Sequence, residues 1–343
     1  MTAASEETNN AVLWKTGQLL ADRYRVRECV REPGTCQLFR VQDVFRGNYH
    51  LLMRPSPPVH QREGWREWFA ELCRNALCVP PHPNVLACER VVEEGDVPFL
   101  IMEDVRGSGW DAAIRERRFT DLSQMLDVAL QTAWGLDWLH QHHQIHYNVK
   151  PANVLLCDSG LAKVWKYGEP DAKTRAYASP EQLAGGRPVT KATDVWSWAV
   201  SVLDMFTGRV AWRLGTEAPL ALRRYMQNGP AEPGIPLMPG GVVRLLATCF
   251  KTDPDTRTIG MDQIAAALDQ MLRQPAAAPT SPAQTPAAKG AQPSSAAQVS
   301  SAEETLADEA LTPEQQAPTG SGAGQPPAEP PPAASKHFHQ RDG

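Results

Sequence analysis

Apolar and polar positions fall into short alternating runs through the first third of the chain and recur at helical spacing through the rest. Residues 23–30, 37–43, 50–54 and 98–103 read as strands, and residues 63–77 between them read as a helix. After Leu122 the apolar residues Leu126, Ala129, Ala133, Leu136 and Leu139 follow at spacings of three and four, which predicts one face of a long helix. Residues 195–206 are apolar nearly all round, which predicts a helix buried in the middle of a lobe. Ile264, Leu268 and Met271 mark a last amphipathic helix. A β-rich part followed by a helical part predicts an α+β molecule of two lobes, with its natural site in the cleft between them.

Composition sets the limits of this domain. Near Arg273 the chain changes to Pro, Ala, Ser, Thr, Gln and Glu with very few aromatics, too little apolar area to offset chain entropy. The expected organisation is a flexible N-terminus over 1–18, a folded domain over 19–273 and a disordered tail over 274–343. Within the domain the first lobe spans about 19–105 and the second about 106–273. The net charge of −5 comes without any dense basic run, which argues against nucleic acid as a partner. No apolar run is long enough to insert in a membrane, and residues 1–10 lack the basic-then-apolar order of a signal peptide, so a cytoplasmic protein is expected.

Two clusters invite metal chemistry and receive a plainer reading. The seven cysteines are scattered and form no C-x-x-C pair, so buried reduced thiols are expected. His140, His142, His143 and His146 lie close together, but a helix end with exposed imidazoles explains them without a metal.

The sharpest signals are sequence motifs. His146-Tyr147-Asn148-Val149-Lys150-Pro151-Ala152-Asn153 resembles the catalytic loop of serine/threonine protein kinases, H-R-D-L-K-P-x-N. Ser179-Pro180-Glu181 resembles the end of their activation segment, and Asp194-Val195-Trp196-Ser197 the start of their central helix. Gly208, Arg257 and the turn His82-Pro83-Asn84-Val85 match further family positions in the right order. The start of the first lobe, Arg23-Tyr24-Arg25-Val26, is most similar to the bacterial branch of that family.

The resemblance implies a protein kinase fold, and the departures from it imply lost chemistry. Phosphoryl transfer needs cradled phosphates, metal ions and a group that takes the substrate proton. The three glycine positions of the phosphate-covering loop hold Arg31, Pro33 and Cys36. The strand lysine falls at Arg54, the small residue against the base at Leu52, and the partner glutamate on the helix at Glu71, with Glu67 as competitor. Glu103 and Val105 would meet a nucleotide if one binds. The catalytic aspartate falls at Asn148, whose amide cannot serve as a base. The magnesium-binding aspartate falls at Lys166, which puts a cation where a carboxylate should be.

Lys150 and Asn153 keep their identity, with a role in fixing the loop. Only five residues separate Gly168 from Thr174, too few for a phosphorylated switch. No catalytic residue, metal or cofactor is therefore expected. The implied function is a pseudokinase that regulates or scaffolds an unidentified protein partner. The alternative is weak nucleotide chemistry on ATP without magnesium, with Lys166 and Arg54 neutralising phosphates. Lys166 paired with Glu71 across an empty cleft is the reading preferred over that. Trp65, Trp68 and Trp110 are candidates for a contact patch, against the commoner fate of a buried Trp.

Overall fold

In the computed structural model the described residues are 14–31, 35–165 and 172–273, and all of them fall in one compact unit. The first lobe is a six-stranded antiparallel sheet. Its strands are β1 (Leu19–Leu20), β2 (Tyr24–Arg31), β3 (Cys36–Asp43), β4 (Tyr49–Pro55), β5 (Cys88–Glu94) and β6 (Val97–Glu103), in the order β1-β2-β3-β4-β6-β5. Helix α1 (Trp65–Leu77) crosses between β4 and β5 and buries Phe69, Cys73 and Ala76, the i, i+4, i+7 face that its sequence presents.

Both faces of this sheet are covered. Leu38, Leu51, Met53, Leu100 and Met102 join the α1 face and Trp165 in one cluster. Trp14, Leu20, Tyr24, Phe39, Leu52, Phe99 and Ile101 form another. Trp14 belongs to a stretch expected to be flexible. It is buried instead, its ring 5.5 Å from both Phe39 and Phe99, and Gly17 N donates to Val26 O at 2.8 Å. An indole that can cover a sheet face recovers more by burial than its short segment loses in chain entropy.

The second lobe begins with a short sheet of β7 (Gly107–Gly109), β8 (Val154–Cys157) and β9 (Ala162–Val164). Its helices are α2 (Trp110–Arg115), α3 (Leu122–Gln141), α4 (Pro180–Ala184), α5 (Lys191–Thr207), α6 (Ala218–Asn228), α7 (Gly240–Cys249) and α8 (Met261–Arg273). Asp121 caps α3 by accepting from Ser123 N at 3.0 Å. Helix α4 starts at Pro180 behind a Ser179–Gln182 capping box. Helix α5 is buried along most of its length, as its apolar run predicts, and ends at Gly208 in the left-handed region.

None of the seven cysteines forms a disulfide; Cys73 and Cys249 are buried, whereas Cys29 and Cys78 are exposed, against the expectation of buried thiols throughout. Trp110 is fully buried, and Trp65 and Trp68 are partly so. No described helix is long and apolar enough to cross a membrane. The expected disordered tail lies outside the described residues.

Candidate functional site

Strand β4 decides what faces the cleft. Its pleat turns successive side chains to opposite faces. Leu51 pairs with Arg40 and Met102, and Met53 with Leu38 and Leu100, all on the face that lines the cleft or packs under α1. Leu52 and Arg54 point the other way. The Arg54 guanidinium stacks 4.3 Å from the Trp14 ring and 5.8 Å from Phe39, and its Nε donates to Gln37 Oε1 at 3.0 Å. It is only 2% exposed, and burial pulls its pKa down to about 10. This corrects the sequence alignment by one residue. Met53, not Arg54, shares the face of Leu51 and packs under α1, and Leu51, not Leu52, lines the space between the lobes.

The helix partner is also absent from where it was expected. Glu71 and Glu67 are both exposed on α1, while Phe69 and Cys73 face inward to the Met53 cluster. A thioether among apolar groups thus stands in place of an ion pair. Burial pushes the Cys73 thiol up to about 12, in keeping with a dry apolar environment.

A cavity of about 290 Å³ remains between the lobes, walled by Val30, Leu38, Leu51, Val105, Leu155 and Trp165. Val105 lines it as expected, but its carbonyl accepts from Arg40 Nη2 at 3.0 Å. Arg40 also donates from Nε to Asp104 at 2.8 Å and pairs with Glu28. Glu103 turns its carboxylate to Lys163 Nζ at 2.8 Å and to Ala87 N at 2.7 Å. Trp165 was missed by the sequence reading; its place directly before Lys166-Tyr167-Gly168 was the available signal. Its indole is buried on the cavity floor, its backbone N–H donates to Asn153 O at 3.1 Å, and its backbone carbonyl lies 3.1 Å from His146 Nε2.

The catalytic-loop residues do come together. Asp194, fully buried at the start of α5, accepts from the backbone N–H of His146 at 2.7 Å and of Tyr147 at 2.9 Å, and its Oδ2 lies 2.8 Å from His140 Nε2. Tyr147 itself sits at φ +66°, a left-handed conformation that this clamp holds. Thr174 Oγ1 donates to Asn148 Oδ1 at 3.0 Å and accepts from Lys150 Nζ at 2.9 Å, and Asn153 Nδ2 donates to Asn148 O at 2.7 Å. Asn148, Lys150 and Asn153 are all buried. Glu181 meets Arg257 in a buried pair at 2.9 Å, and Thr193 Oγ1 adds a bond to the same carboxylate at 3.0 Å.

Lys166, Tyr167 and the loop tip with Pro33 lie outside the described residues. Of the four histidines between 140 and 146, His140 and His146 are buried in these hydrogen bonds, His142 is partly buried and His143 is exposed. No group of His, Cys, Asp or Glu suited to a metal occurs among the described residues.

The arrangement has known counterparts. The protein kinase domain profile matches residues 60–268, more than half of the chain. A probable serine/threonine-protein kinase of Clostridium acetobutylicum is 25% identical over 268 residues, 72% of this chain and 40% of that protein. Serine/threonine-protein kinase PrkC of Bacillus subtilis is 24% identical over 69% of this chain and 39% of its own length. Serine/threonine-protein kinase PknA of Corynebacterium glutamicum is 31% identical over 46% of this chain and 36% of its own. The chain therefore spans about 40% or less of the length of these relatives. With two lobes, a catalytic loop clamped to the central helix and the matched profile in agreement, this chain belongs to the protein kinase domain family.

Proposed function

We propose that this kinase domain transfers no phosphate and acts by binding a protein partner. The observation that carries the reading is the pleat of β4. Phosphoryl transfer in this family depends on a strand lysine that reaches the phosphates and pairs with a glutamate of the neighbouring helix. Here Met53 holds that inward position among apolar neighbours, and the nearby cation, Arg54, is stacked under Trp14 on the far face. Asn148 supports the same reading, since its amide replaces the proton-accepting carboxylate and is engaged by Thr174. Lys166 adds a cation at the position of the magnesium ligand in the sequence.

The residues that hold the second lobe together are retained. Asp194, Glu181 and Arg257 keep a rigid, family-like body that offers a surface while its cleft lacks the phosphate anchor. Thermal unfolding with ATP, with and without magnesium, and transfer of labelled phosphate to a generic substrate test the proposal together. The expected result is no stabilisation and no transfer. Ligand binding to the native state must raise its melting temperature. A metal-independent rise would establish nucleotide binding, and transfer lost on Lys150→Ala would overturn the inactive reading.

A further inference from the structure

Outside the cleft, apolar exposure is concentrated at one place. Among the described residues the most exposed large apolar side chains are Phe45 on the β3–β4 turn, and then Leu237, Met226 and Leu220 at 69%, 64% and 50%, which belong to α6 and the loop that follows it. Exposed apolar groups gathered in this way mark interaction sites more often than scattered ones do. Leu220 lines a built groove and Leu237 lies beside Gly229 at its end, whereas Met226 is on the opposite side of α6. Leu220, Ala221, Arg224, Tyr225 and Asn228 recur along one face of α6 and, with Trp212, line a cavity of about 210 Å³.

The groove has an aromatic floor. Trp212 and Tyr225 are buried and fixed, the indole by its bond to Ala176 O at 2.8 Å and the phenol by accepting from Met238 N at 2.8 Å. Such preorganised anchor pockets lose little side-chain entropy when filled. Leu237 lies beside Gly229 at one end, so the apolar surface continues past the groove.

Its charge is one-sided. Arg224 lines the groove, Arg223 adjoins it on α6, and Arg213 follows Trp212; all three are exposed and form no ion pair among the described residues. By contrast, nearby Arg209 is neutralised by Glu232 at 3.6 Å. The one acid on the rim, Glu217, accepts from Leu214 N at 3.2 Å. Uncompensated arginines beside an aromatic-floored groove fit a ligand of opposite charge with an apolar anchor.

We infer that this groove is a docking site for an acidic peptide segment of a partner protein, with leucine-sized side chains inserted between Trp212 and α6 and carboxylates on Arg223 and Arg224. The inference rests on the reading of the domain as a binding module, and names the chemistry of what it binds.

The test is an anisotropy titration of the full chain against a labelled synthetic peptide. The peptide carries leucines at i, i+4 spacing with glutamates between them, and a lysine version serves as control. Saturable binding of the acidic peptide is expected, weakened by salt and about tenfold weaker in the Arg223→Ala, Arg224→Ala double variant and in Leu220→Asp. All three sites are exposed, and circular dichroism checks that the variants stay folded. Equal binding of the lysine peptide, or binding untouched by these substitutions, would overturn the inference. So would a dimer seen by light scattering and lost in Leu220→Asp, since the face would then belong to a second copy. Phosphate transfer measured on the same samples separates the two readings. Binding with transfer would sink the inactive-kinase proposal and leave the groove supported, whereas no binding and no transfer would sink the groove alone.

Discussion

Single side chains decide the chemistry of this domain, and Arg54 and Met53 decide most of it. Arg54 is held by a stacked indole and a hydrogen bond to Gln37, so Arg54→Lys is expected to cost about 1–3 kcal/mol of stability in denaturant unfolding. It should leave any response to ATP unchanged, because the side chain never reaches the cleft. Met53→Lys is the opposite experiment. It puts an ammonium among Phe69, Cys73 and Leu100 with no acid inward on α1. A larger loss of stability and still no phosphate transfer are expected. Asn148→Asp should also remain silent in a phosphate-transfer assay, since a restored carboxylate beside Lys150 does not supply the missing strand cation.

One buried acid gives the domain a pH dependence of its own. Asp204 on α5 accepts from Tyr177 Oη at 2.8 Å, yet burial raises its pKa from 3.8 to about 7. Between those values the unfolded chain has released this proton and the native state still holds it. Stability therefore falls as pH rises across that window and levels off above about pH 7. Asp204→Asn should flatten this slope in melting temperatures taken from pH 5 to 8 (roughly the range where native proteins are handled). An unchanged slope would assign the effect elsewhere.

Elements are held in register by close approaches that tolerate little change. Helix α3 reaches the His82–Val85 turn at Gly135, where a Cβ would run into the carbonyl of Asn84 and the side chain of Val164. Asn84 in turn donates to Gln131 Oε1 and Ala162 O, both at 2.9 Å, and ties the turn to α3 and β9. Gly135→Ala should therefore destabilise by about 1–3 kcal/mol, read as a lower denaturant midpoint, despite alanine's better helix propensity. Much at this scale was legible in advance. Strands β2, β3, β4 and β6 and helices α1, α3, α5 and α8 follow from the apolar pattern because each buries one face or, for β4 and α5, nearly all of its residues. Strands β1, β5, β7, β8 and β9 and helices α2, α4, α6 and α7 went unread. They are short, or carry arginines and glycines that blur an apolar stripe, and their burial depends on neighbours far along the chain.

At the scale of the whole molecule, the second lobe is held together by buried polar clamps at the positions where its family has them. Buried polar clamps such as Glu181–Arg257 are costly to break from one side, about 3–5 kcal/mol for a one-sided deletion, so Arg257→Ala is expected to unfold the lobe at ordinary temperatures. These clamps, together with the place of Arg54 on the far face of β4, accord with the binding role proposed above.

The sequence by itself determined the family, the two lobes, the clamped catalytic loop and the replacement of the catalytic aspartate, because motifs of fixed spacing and long amphipathic helices are local facts. Only the tertiary structure decided the orientation of β4. Leu51, Leu52, Met53 and Arg54 are all buried, since Trp14 covers one face of the sheet and α1 the other. A strand wrapped on both sides shows no alternation of apolar and polar residues, and a one-residue shift exchanges its two faces. That shift put Arg54 on the far face and Met53 on the face that Leu51 shares with α1, and no pattern along the chain could have revealed it without the indole from fully forty residues earlier.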